Sequence, residues 1–170
     1  MAERISLRDY QRDLAARLRT AADAGRSASK LAVQAGDASW LVDLQESGEV
    51  IPVPPITAVP QTRPWFKGVA NVRGNLYSVV DFPAFLGGKG VALGEQSRLL
   101  LIAPRYRVGA ALLVDASLGL RNPESWQPRE TAQAPAAWQR AEYEDEAGKV
   151  WKELDVAELV KDQNFLTVGS

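Results

Sequence analysis

After residue 30 the chain breaks into short apolar runs, and this most restricts what it can fold into. Leu31-Ala32-Val33, residues 40–44, 50–53, 68–72, 76–82, 98–103 and 108–116 follow one another with Gly, Pro and Asn punctuation between them. Short runs of this kind bounded by turn formers read as strands, and many at short spacing read as a sandwich or barrel. Most of the 10 prolines fall between runs, as sheet interiors require. A length of 170 residues suits one domain with a real core or two small fused lobes.

The first residues have a different period. Leu7, Tyr10, Leu14, Leu18 and Ala21 recur at helical spacing behind Ser6-Leu7-Arg8-Asp9, a capping-box pattern with Asp in place of Glu. Gly25 is the predicted stop, and residues 24–30 are the predicted linker. Arg8, Arg12, Asp13 and Arg19 occupy the opposite face. The stripe is expected to pack on the rest of the domain, with a partner-binding helix as the alternative. The expected organisation is a helix and linker over 1–28 and a β domain over 29–170.

The chain has no cysteine and no histidine, which excludes disulfides, thiolate and imidazole catalysis, and zinc sites of the usual nitrogen and sulfur kind. A net charge of −1 argues against a broad electrostatic footprint for nucleic acid or anionic membrane. No apolar run approaches the roughly 20 residues of a membrane span, and the first twenty residues hold no apolar signal core. A cytoplasmic protein without a cofactor is expected.

Four runs end in aspartate: Leu41-Val42-Asp43, Val79-Val80-Asp81, Leu113-Val114-Asp115 and Glu153-Leu154-Asp155. These read as strand ends and turn starts, not as carboxylates gathered at a site. Asp81 is expected to cap one helical turn, with Pro83 inside it and Gly87 ending it. Asp155 is expected to open a second. Gly87-Gly88-Lys89-Gly90 lacks the frame of a phosphate loop. Residues 143–146, YEDE, lack the spacing of a calcium loop. Trp65, Trp126, Trp138 and Trp151 have no basic cluster alternating with them in sequence, so they read as core or interface anchors rather than stacking platforms.

Residues 69–72 and 76–82 are predicted strands joined by Arg73-Gly74-Asn75, where Gly and Asn tolerate positive φ. Asn71 reads as a turn-bracing amide. Arg73 is either a solvated turn charge or a cation rooted beside a rigid turn, placed to meet a partner's carboxylates or carbonyls. Phe66-x-Gly68-x-x-Asn71-x-Arg73-Gly74 followed by Val79-Val80-Asp81-Phe82 resembles the signature of the CheW-like domain, the adaptor that joins chemoreceptors to a CheA-type histidine kinase. Gly48-Glu49-Val50-Ile51, Arg98 to Ile102 and Val108 to Asp115 resemble other strands of that family, and the likeness covers most of residues 35 to 165. The wording of residues 73–82, with a helix ahead of it, resembles the branch serving type IV pilus chemosensory systems.

That resemblance implies a mainly β fold of two five-stranded β-barrel subdomains packed side by side around an apolar seam, interleaved in sequence, with an N-terminal helix. It implies a non-catalytic adaptor that contacts a chemoreceptor's cytoplasmic tip and the regulatory domain of the kinase, without nucleic acid or membrane insertion. Arg73, Asn71, Glu49 and Val50 would lie on the receptor side; Gly68, Gly74 and Asp81 would be structural. Residues 150–155 depart from the family by carrying Lys152 and Glu153, and are expected at an edge or against a different partner. The alternatives are a small-barrel module for nucleic acid or a small ligand, and, with only scattered aspartates behind it, a carboxylate hydrolase.

Overall fold

The computed structural model describes residues 7–131 and 136–169; the predicted Ser6 cap lies outside the described residues. Helix α1 (Leu7–Ala28) is followed by strands β1 (Lys30–Ala35), β2 (Ala38–Asp43), β3 (Ser47–Pro52), β4 (Phe66–Val72) and β5 (Asn75–Asp81), then by the single turn α2 (Phe82–Phe85). Next come β6 (Arg98–Ile102), β7 (Ala110–Val114), β8 (Ala116–Arg121), β9 (Gln127–Pro128), β10 (Gln139–Glu144) and β11 (Val150–Leu154). The short helices α3 (Val156–Leu159) and α4 (Gln163–Leu166) close the chain.

Two sheets result, with strand orders β8-β1-β2-β11-β10-β9 and β3-β6-β7-β5-β4. The chain builds two strands of the first, all of the second, then returns to finish the first. The mainly β, two-lobed fold with an N-terminal helix stands, with six and five strands in place of five and five. Neither pairing order closes on itself. The sixth strand is the two-residue β9, and the free side of β4 is met by an isolated bridge between Thr57 and Val69.

Alternation places apolar residues on both faces of each sheet. Along β7, Ala110, Leu112 and Val114 point into a core shared by the sheets with Trp40, Val42, Phe66 and Leu154. Ala111 and Leu113 point the other way, with Val72, Val79, Leu99 and Leu101, into a core belonging to the second sheet alone. The first sheet has a smaller private core of Ala32, Leu41 and Trp151. The arrangement is therefore two curled lobes and one seam. Aromatic contacts lock the seam's end: Trp40 meets Phe82 edge-on at 5.2 Å, and Phe85 touches Trp65, Trp138 and Phe165 at 5.2 to 5.9 Å. The C-terminal segment crosses back to the second lobe, where Arg63 N donates to Val168 O at 2.8 Å.

The aspartate echo has a structural meaning. Each lobe contains one parallel strand pair, β2 with β11 and β5 with β7. The four aspartates stand at the ends of these four strands. Asp81, fully buried, accepts from Ala84 N at 3.1 Å and so caps α2, while its other oxygen accepts from Val91 N at 2.9 Å. Gly87 at φ +89° ends that turn. Asp155 caps α3 through Glu158 N at 3.1 Å.

Three expectations are corrected. Helix α1 runs through Gly25 to Ala28, because a glycine inside a helix costs about 1 kcal/mol and does not compel a stop. Over residues 8 to 20 the stripe of α1 is not packed, with Tyr10 exposed at 59%, Leu14 at 45% and Leu18 at 63%; the side chains of Leu7 and Ala21 lie outside the described residues. Finally, β11 is not an edge strand but lies between β2 and β10, with Glu153 buried.

Candidate functional site at the β4–β5 hairpin

The hairpin joining β4 and β5 pairs Val72 with Asn75, leaving Arg73-Gly74 as a two-residue loop. Arg73 has φ +50° and Gly74 φ +85°, the signs a type I′ turn needs at both central positions. The left-handed residue is thus Arg73 itself, while Asn75 has already entered the strand. A non-glycine residue there is strained, and surrounding structure must hold it. Asn71 does so by accepting from Gly74 N at 2.9 Å through Oδ1.

The second element of the site is a bulge. On β3, Ser47 pairs with Ile102 and Val50 with Leu100, so Gly48 and Glu49 together face one partner residue. The extra residue turns the Glu49 side chain out of the ladder toward the hairpin tip. A side chain at Gly48 would place its Cβ 3.2 Å from Leu101 O, so the bulge is tight. Glu49 Oε1 then accepts from Arg73 Nη2 at 2.5 Å, and this bond with its charge raises the guanidinium pKa. Both side chains stay half-exposed or more, so the remaining guanidinium N–H groups face outward. Val50, next in sequence, is half-buried and packs on the shared core.

Gly68 is structural for a steric reason. It has φ +132°, and a Cβ there would lie 2.0 Å from Thr57 O, where the Thr57–Val69 bridge covers the side of β4. The bulge at this point also swings Lys67 to 3.7 Å from Asp81 Oδ2. The structure therefore brings Asn71, Arg73, Gly74 and Glu49 together at one end of the second lobe. It leaves Gly68 and Asp81 at the hairpin's base.

One residue escaped sequence reasoning. Leu76 pairs directly with Asn71, so the two share a face, and Leu76 is 64% exposed. Its signal was an apolar residue immediately after a turn, indistinguishable in sequence from a core residue. On the other face a cleft of about 400 Å³ opens beside the ion pair, lined by Glu49, Val72, Arg73, Tyr77, Leu101 and Ile102. The tip thus offers an exposed leucine, a preset guanidinium and a shallow hollow. This is the composition of a contact surface with an apolar point and a charged rim.

Charges do converge elsewhere. Because β2 and β11 are parallel, Asp43 and Asp155 end side by side, and both reach a network the sequence concealed. Lys30 Nζ lies 2.7 Å from Glu153 Oε1 and 3.6 Å from Asp43. Arg140 reaches Glu46 at 2.8 Å, Asp155 at 3.3 Å and Glu153 at 3.6 Å, and Tyr143 OH donates to Glu153 Oε2 at 3.2 Å. Burial alone would lower the Lys30 pKa, but the Glu153 hydrogen bond and charge outweigh it, with a net rise. Burial likewise opposes a charged Arg140, and its bonds to Asp155 and Glu46 outweigh it. The acids are matched by cations, and among the described residues no group of three or more acidic side chains could hold a metal.

Two cations also approach the tryptophans. Trp126 stacks on Trp151 at 5.3 Å, with Lys149 at 4.4 Å and Arg121 at 6.0 Å from the Trp151 ring. Trp151 is buried and donates to Asp145 at 2.9 Å, so these rings close the first lobe's core.

Residues 30–164 match the CheW-like domain family, and this span is most of the chain. The chain belongs to the CheW-like domain family. Among curated proteins it is 36% identical to "Protein PilI" of Pseudomonas aeruginosa over 111 residues, 65% of this chain and 62% of that protein. It therefore spans less than two thirds of that relative's length. It is 31% identical to "Chemotaxis protein CheW" of Thermotoga maritima over 104 residues, 61% of this chain and 67% of that protein. The solved scaffolding protein TtCheW of Thermoanaerobacter tengcongensis superposes with a TM-score of 0.62 at 18% identity, covering 75% of this chain and 88% of that one. At that identity the likeness concerns the CheW-like fold. Helix α1 precedes the matched span.

Proposed function

We propose that this CheW-like chain is a non-catalytic chemosensory adaptor. It couples the cytoplasmic tip of a chemoreceptor to the regulatory domain of a CheA-type histidine kinase, in a cytoplasmic pathway controlling type IV pilus twitching motility. The pilus assignment rests on the similarity to PilI, and the scaffold role on membership of the family. The observation that carries the reading is the β4–β5 tip, where Arg73 is held in a left-handed turn and oriented by Glu49 beside exposed Leu76.

A preset guanidinium loses less entropy on meeting a partner than one on a mobile loop. Its outward N–H groups suit carboxylates or helix C-terminal carbonyls of a receptor hairpin. Asn71 keeps the turn, Glu49 aims the cation, and Val50 with Leu76 supplies the apolar part of the contact. Such contacts are individually modest, at or below the roughly 1,200–2,000 Å² of a standard interface, and an array raises occupancy through avidity.

The test is binding of the full chain to a receptor cytoplasmic fragment and to the kinase regulatory domain from the same cells. Arg73→Ala and Leu76→Asp are expected to weaken receptor binding about tenfold or more, with kinase binding and the thermal melt unchanged. Wild-type receptor affinity in both variants would remove this tip from the interface.

A further inference from the structure

Helix α1 is 22 residues, about 33 Å of helix, and Tyr10, Leu14 and Leu18 of its apolar stripe are open to water. A helix of this length is marginal alone in water and is stabilised when an amphipathic face is covered. The pattern of the stripe and of the charges beside it is self-complementary, and this identifies what covers it.

Asp13, expected on the opposite face, instead flanks the stripe, where it forms an i,i+4 ion pair with Arg17 at 3.1 Å, both exposed. Ala15 lies midway between them in sequence. In an antiparallel pair with its two-fold axis level with Ala15, Asp13 of each helix stands at the height of Arg17 of the other. At 1.5 Å per residue, the stripe residues of the two copies then alternate along the seam. Leu14 is followed by Leu14 of the other copy, then Leu18 and Tyr10 of the other copy, in steps of about 3 Å. No two stripe residues compete for one height. The antiparallel sense also sets the helix dipoles in opposition. On the far side, Asp9 interrupts Arg8, Arg12 and Arg19, so that face carries both signs.

We propose that α1 is a self-association element. Two copies of this chain pair antiparallel through Tyr10, Leu14 and Leu18, with register set by Asp13 against Arg17. A single helix pair is small, so the dimer is weak and concentration-dependent, suited to a molecule used at high local density. The inference stands on α1 alone and does not depend on the receptor contact assigned to the hairpin.

Sedimentation of the full chain across the micromolar range tests it. The wild type is expected to pass from monomer to dimer. Asp13→Arg and Arg17→Asp should each raise the dissociation constant about tenfold or more, since each sets like charges against one another. An equimolar mixture of these two variants should recover the association, because Arg at 13 and 17 then faces Asp at 13 and 17. Leu14→Asp should abolish it without changing the melt of the β domain. A wild type that stays monomeric, a Leu14→Asp variant that still dimerises, or a mixture that shows no recovery overturns the proposal. So does a monomeric wild type that floats with phosphatidylserine vesicles, since the stripe then belongs to a lipid surface.

Discussion

At Arg73 backbone and side chain make opposite demands. The turn asks for a residue that tolerates φ near +50°, while the ion pair with Glu49 asks for a guanidinium. Arg73→Asn should therefore separate the two. Asparagine accepts the left-handed conformation, so the melting temperature is expected to hold or rise slightly while receptor affinity falls as far as in Arg73→Ala. A drop in melting temperature with Asn would show that the ion pair, not the turn, governs local stability. Gly68 presents the opposite case, in which the backbone alone decides. Gly68→Ala combines a φ of +132° with a Cβ 2.0 Å from Thr57 O. The expected loss is about 3 kcal/mol, or roughly 6 to 12 °C in melting temperature by calorimetry.

The two charges of β11 divide by alternation. Lys152 points to the seam, 5.6 Å from the Trp40 ring, and Glu153 points into the first lobe to meet Lys30. A central strand accepts a carboxylate there because both of its oxygens are engaged. Lys30→Met or Glu153→Leu alone is expected to cost about 3 kcal/mol in a denaturant titration, because each strands a charge. The double substitution should lie closer to wild type than either single one, and simple additivity would refute the pairing. The raised Lys30 pKa makes its contribution fully present below the ordinary lysine value, lost only as pH climbs through the higher folded one. Asp145, in the β10–β11 turn, behaves oppositely. Its bond from Trp151 and those from the Lys149 and Ala147 amides hold its pKa below the carboxylate range. Its stabilisation is present above the ordinary carboxylate value and is lost as pH falls through the depressed one. Acid titration of tryptophan fluorescence should show this turn loosening, and Asp145→Asn should flatten that dependence.

The shared core joins the lobes into one body, and Arg140 on β10 ties the first sheet to the β2–β3 connection through Glu46, whose carbonyl accepts from Ala103 N at 3.1 Å. Helix α1 contributes nothing to that core along residues 8 to 20. Removing residues 1–28 is expected to leave the thermal midpoint within about 2 °C of the full chain, a shift worth under 1 kcal/mol at this size. A larger drop would mean that α1 is packed in solution on its own domain.

Much of this was legible in the residues themselves. Short apolar runs bounded by turn formers imply strands. Asp81-Phe-Pro and Asp155-Val-Ala-Glu imply capped turns, because a cap is a contact between near neighbours in the chain. The hairpin was legible for the same reason, though its left-handed residue is Arg73 rather than Asn75. Contacts between distant residues were not legible. The bulge that aims Glu49 at Arg73, the parallel pairing that brings Asp43 beside Asp155, and the burial of Glu153 depend on which strands lie side by side. A sequence states each residue's preference for water or its neighbours, but a buried carboxylate is tolerated only where a cation from elsewhere arrives. That arrival is a property of the assembled sheets.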